Sequence, residues 1–413
     1  MTWTRNAKML AAISAAFYVV ALVNDAFAAY VLFWASACLL AAGYVYARRS
    51  LRGVSFARHL AANRIFQNDP LAVTLTLRHP PGCSRLFFIK DPVHSLTQET
   101  TETHEYVLQA EPEASEDEFK HRLDFPLRGH YRLGPPVVQG SDAVGLFTRE
   151  VEIGPAAEVI VYPRPLPLPR FHLQGLSSYR LSELRTAPLA GATQEFYGIR
   201  PYQHGDDLRR IHWKSTARTG RLAIKEYEHR VSTAATIVLD LHRQAHRGAG
   251  AQSTLEYAVT IAASLAQHVV DAGNSLSLIS TGAERFLLPM DRGEHQLHKA
   301  LERLAVVKAD GAADFASALG TRLGEIPAAT TVFIITPSAD AHLAYPLLML
   351  RSAGARVTAV LIAAHTFADP ADPRAEAAYG NLLTAAFGAA NAVCPVRRGD
   401  DMASCLGAAR LWL

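Results

Sequence analysis

The hydrophobic pattern divides the chain into stretches of different period. Residues 9–23 (MLAAISAAFYVVALV) and 26–47 (AFAAYVLFWASACLLAAGYVYA) carry no charged side chain, and only Asn24-Asp25 separates them. Crossing a bilayer takes about 20 apolar residues, so the second run is long enough. The first is shorter, with Lys8 able to reach one interface and Asn24 placed at the other. The pattern predicts a transmembrane helical hairpin over residues 1–52. Arg5 and Lys8 precede it, and Arg48, Arg49, Arg52 and Arg58 follow it. By the positive-inside rule both flanks are cytoplasmic, which places everything after residue 48 in the cytosol. Ala26-Phe27-Ala28 also fits a secretory cleavage site, and cleavage there would leave the second span as a lone anchor.

From residue 53 to 162 the period falls to two. Leu71, Val73, Leu75 and Leu77 alternate with polar residues, as do Phe119, Leu123, Phe125 and Leu127, with His121 between. Further short strands are predicted at 86–89, 106–108, 131–138 and 159–161. Turn signals separate them at Asn68-Asp69-Pro70, Pro80-Pro81-Gly82, Arg128-Gly129 and Gly134-Pro135-Pro136. Roughly eight strands in about 110 residues fit an all-β, immunoglobulin-like sandwich. The acidic run Glu111 to Glu118 reads as a solvated loop. The proline-alternating stretch PRPLPLPR opens a linker over residues 163–193.

Residues 194–413 alternate strands with helices. Apolar runs at 237–239, 276–279, 331–335 and 357–362 read as buried strands, with a short strand near Val393. Helices are predicted over 254–271, 294–306, 314–324, 341–353, 374–388 and 400–411. Buried apolar strands between helices imply a mostly parallel sheet covered on both faces. Ligands in such folds bind beyond the carboxyl ends of the strands.

Composition narrows the function classes. A formal charge of +3 and no basic groove interleaved with aromatics argue against nucleic acid. The four cysteines, Cys38, Cys83, Cys394 and Cys405, form no C-x-x-C pair and no disulfide framework, so free thiols are expected. No P-loop and no G-x-S-x-G nucleophile elbow occurs. No cofactor is expected, and the chain reads as a non-enzyme.

The densest chemistry lies in EFYGIRPYQHGDDLRRIHWKSTARTG, residues 195–220. It predicts a strand, a turn at Gly205 and a short helix capped by Asp206 or Asp207. On that helix Leu208, Ile211 and Ser215 would share a face with Trp213 beside it, while Arg210, Lys214 and Arg218 would form a basic stripe. Three readings stand: a capped amphipathic helix with a solvated basic face, a docking surface for an acidic partner, or acid–base chemistry by His204, Asp206, Asp207 and His212. Arginine suits docking because its planar fork grips carboxylates with two hydrogen bonds.

The run Tyr202-x-x-Gly205-Asp206-Asp207-x-Arg209-x-Ile211-x-Trp213, continuing to Ala217-Arg218, resembles the hallmark of the domain of unknown function 58 family. Arg128-Gly129-x-Tyr131-x-Leu133-Gly134-Pro135 and Asp142-x-x-Gly145-Leu146-Phe147 are similar to that family's upstream pattern. The resemblance covers most of residues 54–413. It implies a membrane-anchored protein with a von Willebrand factor A-like domain and a MoxR-type AAA+ ATPase as partner. The motif gives a candidate partner surface built from Tyr202, Gly205, Asp206, Asp207, Arg209, Arg210, Trp213, Lys214 and Arg218, in which Trp213 is expected to lock its helix onto the sheet.

Von Willebrand factor A domains hold a divalent cation through D-x-S-x-S at the first strand end, with a Thr and an Asp from later loops. Here the stretch is Asp240-Leu241-His242-Arg243-Gln244, Ala313 stands near the Thr position, and Thr336-Pro337-Ser338 follows the apolar strand where an Asp is needed. The oxygen ligands that Mg²⁺ requires are mostly replaced, so this departure from the pattern predicts a degenerate site without Mg²⁺ at Asp240, His242, Gln244 and Ala313. The expected function is a membrane-tethered adaptor that recruits the ATPase for assembly of envelope or metalloprotein complexes. The competing class is a metal-dependent hydrolase using His204, Asp206 and Asp207, or Asp240, His242 and His246.

Overall fold

The structure is a computed structural model that describes residues 2–79, 86–109, 116–142, 144–168, 194–203, 208, 211–229, 234–328, 330–368 and 373–408. Two compact units divide the chain, the first made chiefly of residues 1–164 and the second of the remainder.

The first unit opens with strand β1 (Thr2–Trp3) and two helices, α1 (Arg5–Asn24) and α2 (Phe27–Arg49). Thr4 caps α1 by accepting from the Ala7 amide, and Asp25 turns the chain in the left-handed region. Both helices are long and apolar enough to cross a membrane. Valine, leucine and aromatic side chains stand exposed along them, including Val23, Phe27 and Trp34. A helix that is apolar all round needs lipid or protein to cover it.

Ten strands follow: β2 (Ser55–Leu60), β3 (Arg64–Phe66), β4 (Leu71–Arg78), β5 (Leu86–Ser95), β6 (Thr100–Gln109), β7 (Glu116–Leu123), β8 (Gly129–Leu133), β9 (Val137–Ser141), β10 (Phe147–Glu152) and β11 (Ala157–Tyr162). One sheet runs β1-β10-β9-β5-β8-β11-β3, with β6 on the other side of β5, and a second runs β2-β4-β7. The period-two pattern of β4 turns Leu71, Val73, Leu75 and Leu77 inward, where they join Phe87, Ile89, Leu133, Val138 and Val161 in one core. The acidic run predicted as a loop differs: Glu116 to Glu118 open β7 and pair with Arg78, Leu77 and Thr76. Edge position lets charged side chains sit in a strand at little cost. Residues 111–115 lie outside the described set, as do Cys83 and the linker from 169 to 193.

The second unit contains a two-stranded hairpin of β12 (Gln194–Pro201) and β13 (Ala223–His229), with helix α3 (Trp213–Thr219) in the connection. Then come β14 (Ala234–Leu239), α4 (Thr254–Asp271), β15 (Ser275–Ser280), β16 (Leu287–Asp291), α5 (Glu294–Val306), α6 (Phe315–Arg322), β17 (Thr331–Thr336), α7 (Ala344–Ser352), β18 (Arg356–Ile362), α8 (Pro373–Ala389), β19 (Ala392–Val396) and α9 (Met402–Ala408). The main sheet is mixed, in the order β16-β15-β14-β17-β18-β19, and only β16 runs antiparallel. Ile237, Val238, Val332, Ile334, Val357 and Ala359 are fully buried, as the near-continuous apolar strands require of a sheet covered on both faces. The chain leaves β14 toward β15 and returns on its other side at β17. The gap between the ends of β14 and β17 is therefore the topological switch point.

Candidate functional site

The motif segment is built on the β12–β13 hairpin. The Tyr202 amide donates to the Leu222 carbonyl (2.9 Å) and the His212 amide to the Ala223 carbonyl (2.8 Å). Ile211 bridges to Ile224, and both are buried. α3 starts only at Trp213, with His212 as its cap: the imidazole Nδ1 accepts from the Ser215 amide (3.3 Å) and lies 2.8 Å from the Ser215 hydroxyl. Gly220 ends the helix in the left-handed region (φ 68°), returning its amide to the Thr216 carbonyl. The Thr216 hydroxyl accepts from the Ala223 amide (3.1 Å) and ties the helix to β13.

Three expectations are corrected here. The helix does not begin at Asp206 or Asp207, so Leu208, Ile211 and Ser215 share no helical face. Leu208 is instead 61% exposed, and Ile211 joins the hairpin. Trp213 does not lock the helix onto the sheet: it is 68% exposed, and no residue of α3 is buried. A stripe at Arg210, Lys214 and Arg218 cannot run along α3, because Arg210 precedes it. Lys214 and Arg218, both exposed, do lie one turn apart. His204, Gly205, Asp206, Asp207, Arg209 and Arg210 lie outside the described residues.

At the switch point Asp240 is completely buried. Its Oδ2 accepts from the Thr336 hydroxyl (2.6 Å) and its Oδ1 from the His242 amide (2.8 Å). Burial pushes the carboxyl up to about 7, against the opposing pull of those two donors. Thr336 in turn accepts from the Ser338 amide (2.9 Å). His246 spends both ring nitrogens on protein groups: Nε2 lies 3.0 Å from the Asp240 carbonyl, and Nδ1 lies 3.1 Å from the Thr254 hydroxyl. Asp314 caps α6 by accepting from the Ser317 amide, and Ala313 before it is exposed and brings no ligand. Gln244 turns its backbone carbonyl to the Arg247 guanidinium (2.6 Å).

The residues at β14 do not fit a resident cation. A divalent ion needs several oxygen donors within reach, whereas the Asp240 carboxyl is completely buried, already accepts from a hydroxyl and an amide, and has His242 and Gln244 beside it in the chain. Among the described residues no group of three or more His, Cys, Asp or Glu side chains stands close enough to hold a metal. The sequence placed Thr336 only where an Asp was needed; the structure makes it the hydroxyl partner of Asp240. The parallel register Leu239↔Ile335 sets the next residue of each strand side by side, a signal visible only once the strand order is known.

A second polar cluster, inside the first unit, also escaped the sequence. Arg58 (side chain 1% exposed) and Asp91 (0%) form a buried ion pair. The other Arg58 amino group donates to the Gly134 carbonyl (3.1 Å). Tyr106 packs against His121 with ring centroids 4.4 Å apart. Burial, reinforced by the Arg58 and His104 charges, lowers His121 to about 4. Burial also raises Asp91, with Arg58 opposing. Arg58 therefore belongs to the β core and not to the basic flank of the helices.

The second unit is thus an α/β domain with a sealed switch-point carboxyl, preceded by an exposed basic and aromatic helix on the β12–β13 hairpin. Residues 198–374, from β12 to the start of α8, match the family described as "Protein of unknown function DUF58". A distant relative is the uncharacterized protein YeaD of Bacillus subtilis strain 168, 22% identical over 317 residues, which are 74% of this chain and 75% of that protein. Among solved structures, proximal thread matrix protein 1 from the mussel byssus aligns over 44% of this chain and 47% of its own, at 10% identity and a TM-score of 0.30. The CARDB domain of a Pyrococcus furiosus protein aligns over 26% of this chain and 86% of its own, at 12% identity and a TM-score of 0.18. Likenesses this weak carry no weight for fold or function.

Proposed function

We propose that this chain is a membrane-tethered adaptor of the bacterial inner membrane. The helical pair is its anchor, and an immunoglobulin-like β unit stands at the cytosolic face. A von Willebrand factor A-like unit that has lost its cation recruits a MoxR-type AAA+ ATPase, for assembly of envelope or metalloprotein complexes. The observation that carries this reading is α3: a helix with no buried residue that presents Trp213, Lys214 and Arg218 to solvent. Aromatic and basic side chains are the residues that anchor interfaces, and a solvent-facing Trp at the start of a short, tied-down helix serves no core. The sealing of Asp240 by Thr336 and His242 supports binding over metal chemistry at the sheet end.

The test is affinity capture from native membranes with tagged full-length chain in mild detergent, with and without ATP, and mass spectrometry of bound proteins. An AAA+ ATPase should co-elute with the wild type and be lost with Trp213→Ala/Lys214→Glu/Arg218→Glu, while the melting temperature stays within a few degrees. Equal recovery of the ATPase by both chains would overturn the assigned surface. Its absence under every nucleotide condition would overturn the adaptor reading.

A further inference from the structure

The base of the helical pair is fastened to the β unit at several points. β1 adds to the edge of the large sheet, with Thr2 opposite Thr148 and Trp3 opposite Phe147. The Thr4 hydroxyl donates to the Gly145 and Leu146 carbonyls (2.9 and 2.8 Å), and the Arg149 guanidinium donates to the Arg48 carbonyl (2.5 Å). Ala7, Ala47, Leu146 and Phe147 form a buried cluster, with Trp3 and Tyr44 packed edge-on against Phe147 at 5.2 and 5.9 Å. Asp142 holds the adjoining turn, accepting from the Phe147 amide (2.6 Å) and the Val144 amide (3.1 Å). Both ends of the hairpin are therefore bound to one sheet edge, and no free linker separates anchor from sheet.

This fastening brings a specific set of side chains to one level. Trp3, Tyr44 and Tyr46 are half-exposed at the helix bases, where amphipathic rings settle at a membrane–water boundary. Val144 projects from the turn beside them, 58% exposed. Arg5 begins α1, Arg48 and Arg49 end α2, all three exposed, and Arg149 lies half-buried on the neighbouring strand. The first turn of α1 carries no acidic residue, and the basic residues of α2 fall in its last turn.

We infer that this sheet edge is a platform for anionic phospholipid headgroups, phosphatidylglycerol in kind, gripped by Arg5, Arg48, Arg49 and Arg149, with Val144 entering the interface. The inference rests on the reading of α1 and α2 as a membrane anchor. Guanidinium groups bind phosphate with paired hydrogen bonds, and basic side chains at the surface of an anionic leaflet are attracted to it. Because the sheet cannot swivel on a linker, the headgroups also fix which edge of the β unit faces the bilayer.

The test uses the full-length chain reconstituted in vesicles of phosphatidylcholine containing about a quarter phosphatidylglycerol, with spin-labelled lipids reporting association by electron paramagnetic resonance. The wild type should select phosphatidylglycerol over phosphatidylcholine at least about threefold, and about 0.5 M salt should abolish the preference. Arg5→Gln/Arg48→Gln/Arg49→Gln/Arg149→Gln should bring the ratio to unity in a chain that still resists carbonate extraction. A wild-type ratio of one, in vesicles the chain does not leave on carbonate washing, overturns the platform alone. Release of the wild type by carbonate overturns the membrane reading and the platform with it.

Discussion

Asp240 and Asp91 are both buried carboxyls, yet their partners give them opposite consequences. Burial disfavours the ionised form of Asp240 against the pull of its two neutral donors, and its carboxyl sits near 7. Between about 3.8 and 7 the folded chain then binds a proton that the unfolded chain releases. Stability from this group is full below the unfolded value and is lost as pH rises through 7. Asp240→Asn keeps the shape and cannot ionise. It should therefore gain on the wild type as pH rises, by up to about 1.4 kcal/mol per unit within that window, read as melting temperatures at pH 5 and pH 8. Equal differences at the two values would refute the assignment. Asp91 instead faces the buried Arg58 guanidinium. Asp91→Asn strands that charge and should cost about 3–5 kcal/mol, whereas Arg58→Met/Asp91→Leu should cost far less. Urea midpoints of the two variants decide between them.

The buried strands β14, β17 and β18 were legible from sequence because a strand covered on both faces must be apolar at every position. Helices α4 and α5 were legible to the residue, since apolar positions recur at helical spacing along α4 at Leu255, Val259, Ala262, Leu265 and Val269. The start of α3 was not. Two aspartates ahead of a periodic run imitate a cap, but the pairing of Ile211 with Ile224 keeps that residue extended and hands the cap to His212, a residue outside the usual capping set. β1 was illegible for another reason: two residues carry no period, and their partners in the register Thr2↔Thr148 and Trp3↔Phe147 lie far along the chain, so the pairing follows only from the fold. The loop before α6 makes a prediction of its own. Gly311 passes so close to the end of β14 that an added Cβ would lie 2.8 Å from the Thr281 carbonyl oxygen and 3.0 Å from that of Leu241. Backbone cannot yield as a flexible side chain would, so Gly311→Ala should destabilise the α/β unit by about 1–3 kcal/mol. Hydrogen exchange in β14 and β15 should quicken in that variant, and unchanged protection would contradict the contact.

Across the whole molecule the two units carry groups, one half-buried and one fully buried, that titrate in opposite senses. His121 in the β unit is held down to about 4 by burial and by the Arg58 and His104 charges. The unfolded chain therefore takes up its proton first, and stability from this group falls as pH drops from about 6.5 to 4. The elements packed around His121 add Tyr106, raised to about 12 by burial and by Asp91, and so neutral throughout that range. Asp240 in the α/β unit has the reverse slope over the same interval. Acidification should loosen β4 and β7 while tightening β14 and β17. Peptide-resolved hydrogen exchange of the full chain at pH 4.5 and pH 6.5, corrected for the intrinsic pH dependence of exchange, measures both at once. His121→Phe should flatten the response in β4 and β7 and leave β14 unchanged, and Asp240→Asn should do the converse. A parallel response of both units, unaltered by either substitution, would mean that these two groups do not set the acid behaviour of the chain.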